Sequence, residues 1–413
     1  MRKIKVGLVG IGGFGSNHLK QIRNFCDNGR VLLEAVCDRN IDVYEKNLVE
    51  LNFNNIRKYV EYEAFLGSEK GLDLVIICTP IPMHKSMSCL AMEAGYNVLL
   101  EKPPAVTIQD IDEIIATKVK TGKMCFVGFQ MTSCKSFVSF KESLQSDIIG
   151  GILKIAGSGA WCRDHGYFNR APWVGKILHN GNYVLDGTVN NPLAHVLNNC
   201  LILAGSKATK DAAPQWVQSE LYKANDIESE DTSCLRVMTQ GGTEVYFIAT
   251  ICGKNNDLPY IIVTGERGKG IWSYNGTCEF YDTKGILIKR NSIISDSNND
   301  HYENIISYLQ GLSNKIPCNI EDTRNFVLVS NLAFESSKIT HKIDKQYLDY
   351  LNFDKIKISE INEKTDFFYL RDIEKIVEQA VRECKLFSEL GVAWAVETSR
   401  FYAKNYTKFE LYK

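Results

Sequence analysis

Residues 181–195, GNYVLDGTVNNPLAH, crowd Asp186, Asn190, Asn191 and His195 into one short stretch. An imidazole titrates near neutrality and can take a hydroxyl proton, while a neighbouring carboxylate can support it. Asn191 can orient an imidazole or bind a hydroxyl, but it cannot accept a proton. A second reactive group is Lys102, which stands in VLLEKPPA between Glu101 and two prolines. A lysine on so stiff a backbone is held in position, and its ammonium can favour a developing alkoxide. Between these two regions lies WCRDHGYFNRAPWVGK, with Arg163, Tyr167, Arg170 and Trp173. Arginine offers a fork of fixed donors and the aromatic rings offer flat faces, a combination suited to a sugar. The plainer readings are a satisfied core histidine, a solvated lysine paired with its glutamate, and a loop pinned by salt bridges.

The elements that must position these groups change character along the chain. KIKVGLVG reads as a buried parallel strand, and SNHLKQIRNFCDNG as a helix. Between them run Gly10, Ile11, Gly12, Gly13, Phe14 and Gly15, a G-x-G-x-x-G in the strand-to-helix setting that binds a dinucleotide. Gly10 permits the tight turn, Gly12 the approach of a pyrophosphate, and Gly15 close helix–strand packing. The helix N-terminus offers N–H groups to the phosphates. RVLLEAVCD then ends in Asp38, suited to the ribose hydroxyls of NAD; Arg39 beside it keeps NADP open, with NAD favoured. Strands GLDLVIICTP, YNVLLEKPP and KMCFVGF alternate with helices HKSMSCLAMEAG and TIQDIDEIIATKVKTG, which predicts a doubly wound parallel sheet. Ligands lie at the carboxyl ends of such strands, which singles out Thr79, Pro80, Glu101, Lys102 and Gln130.

From about residue 151 the pattern is that of hairpins. GILKIAGSGAWC reads as a strand, and SCLRVMTQGGTEVYFIATIC and PYIIVTGERGKGIWSY as strand pairs with glycine-containing turns. Beyond about 345, DFFYLRDIEKIVEQAVRECKLFSELG has helical periodicity, and VETSRFYAKNYTKFELYK reads as a strand. The boundaries expected are 1–130, 131–345 and a C-terminal extension, 346–413, that packs on the body.

Composition excludes several classes. The 413 residues are 45% hydrophobic and 23% charged, with a net charge of −1. These values suit a folded protein and give no electrostatic reason to expect nucleic acid or a membrane surface. The thirteen cysteines form no Cys-x-x-Cys pair and mostly sit in apolar runs, as in a reducing compartment. No metal site is expected, and no apolar run reaches the roughly 18 residues of a membrane span. A cytoplasmic location is the expectation.

GLVGIGGFGSNHL, AVCD, VIICTPIPMH, AGYNVLLEKPPAVT and, late in the chain, NIEDTRNFVLVSNLAFESS together resemble the glucose–fructose oxidoreductase and inositol dehydrogenase family (Gfo/Idh/MocA). The resemblance runs from residue 4 to about 340. It implies an N-terminal Rossmann domain and a C-terminal α/β domain with an open, mostly antiparallel sheet. It also implies NAD or NADP, a sugar, sugar derivative or inositol as substrate, and a homo-oligomer built through the C-terminal sheet. Carried over by position, Lys102 is the E-K-P lysine beside nicotinamide and substrate, and His84 lines the cofactor loop. The family's aspartate, three residues, histidine, two residues, aspartate falls on Asn191, His195 and Asn198. Both aspartates are therefore replaced, and Asp186 lies five residues early. His195 is the expected base and Asp186 its supporting carboxylate. Two other functions use the same parts: transient NAD-dependent oxidation coupled to elimination of a glycosidic substituent, and a non-catalytic nucleotide sensor.

Overall fold

The computed structural model describes residues 2–206, 208–351 and 367–412. In chain order the elements begin with β1 (Ile4–Val9), α1 (Gly15–Asp27), β2 (Val31–Cys37), α2 (Ile41–Glu50), β3 (Arg57–Tyr59) and α3 (Tyr62–Ser68). Next come β4 (Leu74–Ile77), α4 (His84–Glu93), β5 (Asn97–Leu100), α5 (Ile108–Thr121), β6 (Cys125–Val127) and α6 (Lys135–Gln145). The middle holds β7 (Ile152–Ala160), α7 (His165–Asn169), β8 (Leu178–His179), β9 (Asn182–Tyr183) and α8 (Ala194–Ala204). Strands β10 (Pro214–Lys223), β11 (Thr232–Thr239), β12 (Glu244–Thr250), β13 (Tyr260–Gly265), β14 (Gly268–Ser273), β15 (Thr277–Asp282) and β16 (Leu287–Ser292) follow. The last elements are α9 (Ser297–Leu309), α10 (Arg324–Ser337), β17 (His341–Lys342), β18 (Leu348–Leu351), β19 (Phe367–Leu370), α11 (Ile373–Glu383) and β20 (Phe401–Tyr402).

The chain divides into two compact units. The first comprises Met1–Ala105, Gln109–Lys135 and Ser295–Arg324. Its six strands run parallel in the order β3-β2-β1-β4-β5-β6, the doubly wound arrangement with its ligand crevice where the order reverses beside β1. Strands buried on both faces must be apolar throughout, and β4, β6 and most of β1 are. Leu19, Ile22 and Phe25 of α1 pack on this sheet together with Tyr302, Ile305 and Ile306 of α9, which is why residues from 295 onward return to this unit.

The second unit comprises Val106–Ile108, Ser136–Ile294 and Asn325–Lys413. Its main sheet follows the order β16-β15-β14-β13-β7-β12-β11-β10-β17, with β20 also paired to β10. Only the β7–β12 and β10–β17 pairs are parallel among those described, so the sheet is mostly antiparallel, as expected. Both predicted hairpins, β11–β12 and β13–β14, are present. On one face α8 lies so close to β7 that a Cβ on Gly157 would sit 2.4 Å from the Cys200 sulfur.

The other face is covered by part of the extension. Ile373, Val377, Ala380 and Val381 of α11, with Leu386, Phe387 and Trp394 after it, cover Tyr222, Cys234, Tyr246 and Ile248. These apolar sheet side chains therefore have intramolecular partners in the extension. The predicted helix is also shorter than its periodicity suggests. Phe367–Leu370 pairs with Leu348–Leu351 as a strand, and Asp372, at φ 57°, breaks the helical path upstream of Ile373. In the final stretch only Phe401 and Tyr402 are strand; residues 352–366 of the extension lie outside those described. Among the described residues no helix is long and apolar enough to cross a membrane, and every cysteine is unbridged.

Candidate functional site

The first unit builds a tight turn from its glycines. Gly10 has φ 85°, and a Cβ on Gly15 would lie 2.1 Å from the Gly10 carbonyl oxygen, so both positions need glycine. The space over Gly12 is taken by the Tyr44 ring, which a Cβ would meet at 2.4 Å. Gly15 and Ser16 donate their N–H groups back to Gly12 and Gly13 at 2.8 and 3.2 Å. They are used up by the tight first turn, so the N–H groups that could meet a phosphate are those just before the helix. Those of Gly12, Gly13 and Phe14 have no acceptor among the described residues. Asp38 accepts from the Ile11 N–H at 2.8 Å with one carboxylate oxygen and from the Asn40 N–H at 2.8 Å with the other. It therefore braces the glycine turn and the entry to α2, keeping further lone pairs for ribose hydroxyls. Arg39 is exposed beside it.

At the ends of β4 and β5 the predicted residues divide by role. The Thr79 hydroxyl is buried without a partner among the described residues, which fits a bound polar ligand. Pro80 is exposed, and Gln130 is half-buried at the start of the turn after β6. His84 is buried, with its two ring nitrogens 2.8 Å from the Pro103 carbonyl and 2.9 Å from that of Thr79. Burial lowers its pKa against the pull of these carbonyls, and the ring ties the loop after β4 to the loop that carries Lys102. Glu101 is buried. One oxygen meets His18 Nε2 at 3.1 Å, and the other accepts the Lys102 N–H at 3.1 Å. His18 Nδ1 in turn lies 2.7 Å from the Tyr302 hydroxyl. Burial pushes the Glu101 carboxyl up, but the His18 hydrogen bond and the nearby charges outweigh it and hold the group below its ordinary range. Glu101 thus anchors the backbone on which Lys102 is presented.

The second unit brings together most of the remaining predicted residues. Asp164 caps α7 by accepting the Tyr167 N–H at 2.9 Å. The Arg170 guanidinium lies 3.7 Å from the Tyr167 ring centroid and 5.4 Å from that of Trp173; Arg163 lies 5.3 Å from Tyr167 and 4.8 Å from Trp161. This cation–aromatic stack fixes the loop in one shape. Burial and the charge of Asp186 push the Tyr167 hydroxyl up to about 12, so the stack borders Asp186. Asp186, almost fully buried, accepts from Asn191 Nδ2 at 2.7 Å and from the Gly175 N–H at 2.8 Å. The Asp186 carboxylate and the Asn191 amide therefore act as one hydrogen-bonded pair. His195 is the second residue of α8 and half-buried. Asn198 and Asn199 follow it on the same face, fully buried, and neither side-chain amide has a partner among the described residues.

Sequence reasoning missed Tyr44, His18, Tyr302 and above all Glu230. Glu230 is fully buried; it accepts from the Val189 N–H at 3.0 Å and the Ser229 hydroxyl at 2.6 Å. Burial, with the nearby Asp186 charge, pushes its carboxyl up to about 7. The signal was the acidic pair Glu230–Asp231 immediately before an apolar strand.

Residues 4–129 match the Gfo/Idh/MocA model, described as an oxidoreductase family with an NAD-binding Rossmann fold. An inositol 2-dehydrogenase of Salmonella paratyphi B is 32% identical over 159 residues, 37% of this chain and 45% of the relative. A glycosyl hydrolase family 109 protein of Shewanella pealeana is 30% identical over 133 residues, 31% of this chain and 28% of the relative. The chain thus spans less than half the length of either relative. The WlbA dehydrogenase of Chromobacterium violaceum, solved with NADH and UDP-GlcNAcA, shares the fold over 82% of this chain and 94% of its own, with TM-score 0.68 and 22% identity. The first unit, with the N–H groups of Gly12, Gly13 and Phe14 and with Asp38, fits NAD.

Proposed function

We propose that the protein is an NAD-dependent dehydrogenase that oxidises a secondary alcohol of a sugar, sugar derivative or inositol. The observation that carries this reading is the Asn191–Asp186 hydrogen bond of 2.7 Å, which supplies a carboxylate shortly before His195 although the family's own aspartate is absent. NAD, when bound, supplies the hydride acceptor. His195 takes the hydroxyl proton, and the Lys102 ammonium favours the alkoxide that develops. Asp186, held by Asn191 and Gly175, supplies the fixed negative charge of the substrate half. Arg163 and Arg170, stacked on Tyr167 and Trp173, favour a substrate with a carboxylate or another anionic substituent.

The test is absorbance at 340 nm with NAD and then NADP against uronic acids, neutral sugars and inositols. Cofactor reduction by one compound class supports the reading. A flat trace with every compound, with NAD binding seen by calorimetry, overturns it. The similarity to a glycosyl hydrolase family 109 protein favours a second reading, NAD-dependent oxidation and elimination. That chemistry releases a glycosidic substituent without net NADH.

A further inference from the structure

Glu230 lies outside every motif that singles out the other residues, yet the turn leading to α8 is built on it. Val189 donates its N–H to the carboxyl, and the Thr188 N–H reaches the Glu230 carbonyl at 3.4 Å. Gly187 crosses so close that a Cβ there would lie 2.2 Å from the carboxyl. Asp186 and Asn191 sit on either side of this contact.

The carboxyl is also enclosed from the C-terminal segment. Tyr183 of β9 donates its hydroxyl to the Leu411 carbonyl at 2.5 Å and packs its ring 4.9 Å from that of Phe409. Tyr412 comes near enough to Glu230, Glu335 of α10 and Tyr183 for all three to act on its hydroxyl. The charged and titratable groups around Glu230 are therefore Asp186 on the turn and Tyr412 on the tail, with Glu335 and Tyr183 beyond Tyr412.

We propose that Glu230 is a positioning residue of the substrate half: its buried carboxyl pins the 186–191 turn and, through it, the Asp186–Asn191 pair. The effect on turnover rests on the dehydrogenase reading; the effect on the turn does not. A buried carboxyl in this place has two states, and the ionised one sets a second negative charge against Asp186.

The test compares the full chain with Glu230→Gln, Glu230→Ala and Gly187→Ala. Gln keeps an acceptor for Val189, whereas Ala removes it and Gly187→Ala crowds the carboxyl from the other side. In hydrogen exchange, the peptide spanning 184–193 is expected to exchange roughly tenfold faster in Glu230→Ala and Gly187→Ala and within about twofold of the wild type in Glu230→Gln. Unchanged exchange in both disruptive variants overturns the inference, whatever the turnover. With NAD and either glucuronate or myo-inositol, whichever reduces it, Glu230→Gln should keep kcat/KM within about threefold of the wild type, while Glu230→Ala should lose at least about tenfold. A Glu230→Gln variant as impaired as Glu230→Ala also overturns the inference. Faster exchange in the disruptive variants, with no turnover in the wild type, leaves the positioning role standing and removes the dehydrogenase reading.

Discussion

Replacing Glu230 with Gln is expected to stabilise the second unit at alkaline pH relative to acid pH. The folded carboxyl titrates at about 7 and its ordinary value is 4.5, because burial and Asp186 oppose its charge. Between these values the folded chain holds a proton that the unfolded chain has released. Stability therefore falls as pH rises from about 4.5 to about 7 and is level above that. At about 1.4 kcal/mol per pH unit, the gap comes to roughly 3 kcal/mol lost by the wild type and not by Gln. The full figure applies because the carboxyl is entirely buried and solvent does not screen it.

The assay is guanidinium unfolding at pH 5 and pH 8, followed by tryptophan fluorescence. All five tryptophans, at 161, 173, 216, 272 and 394, belong to the second unit, so the signal reports that unit alone. The stability difference between variant and wild type should shift by roughly 3 kcal/mol toward the variant at pH 8. A difference that stays constant within about 0.5 kcal/mol between the two pH values refutes the reasoning, since the carboxyl would then ionise without cost in the fold.

Three further outcomes are expected. Asp38→Ala removes the acceptor for the Ile11 and Asn40 N–H groups and the carboxylate that suits the ribose; NAD binding measured by calorimetry should weaken at least roughly tenfold, and an unchanged Kd refutes the assignment. Asn191→Asp restores the family's residue type but sets a second carboxylate against Asp186 where a 2.7 Å hydrogen bond now stands; it should cost roughly 1–3 kcal/mol at pH 8, and a variant at least as stable as the wild type there contradicts the pairing. Val377→Asp buries a charge between α11 and the sheet; a loss of roughly 3–5 kcal/mol with self-association on gel filtration is expected, and a monodisperse variant of wild-type stability shows that α11 does not seal that face.

Local pattern determined most of the first unit, though not α2, β3, α3 or the return of residues 295–324 to it. Alternating strands and helices, the glycine turn and Asp38 are signals read within some thirty residues, enough for a doubly wound parallel sheet, while the order 3-2-1-4-5-6 is seen only in the structure. Likewise the β11–β12 and β13–β14 hairpins were legible because each is closed by a short turn. What tertiary structure decided are the long-range contacts. Glu101 meets His18, which in turn meets Tyr302, both far from it in sequence, so its carboxylate is held in an internal hydrogen-bonded chain. The periodicity after residue 366 foretold α11 but neither its start nor the sheet face it covers, since strand pairing at 367–370 overrode local helical preference. The sequence shows Asp186 and Asn191 as two candidates for one role, and the fold joins them by a hydrogen bond. Glu230 carried no motif at all: its place against Gly187 arises only when the β10–β11 connection and the turn before α8 meet, and burial there, not residue type, alters its chemistry.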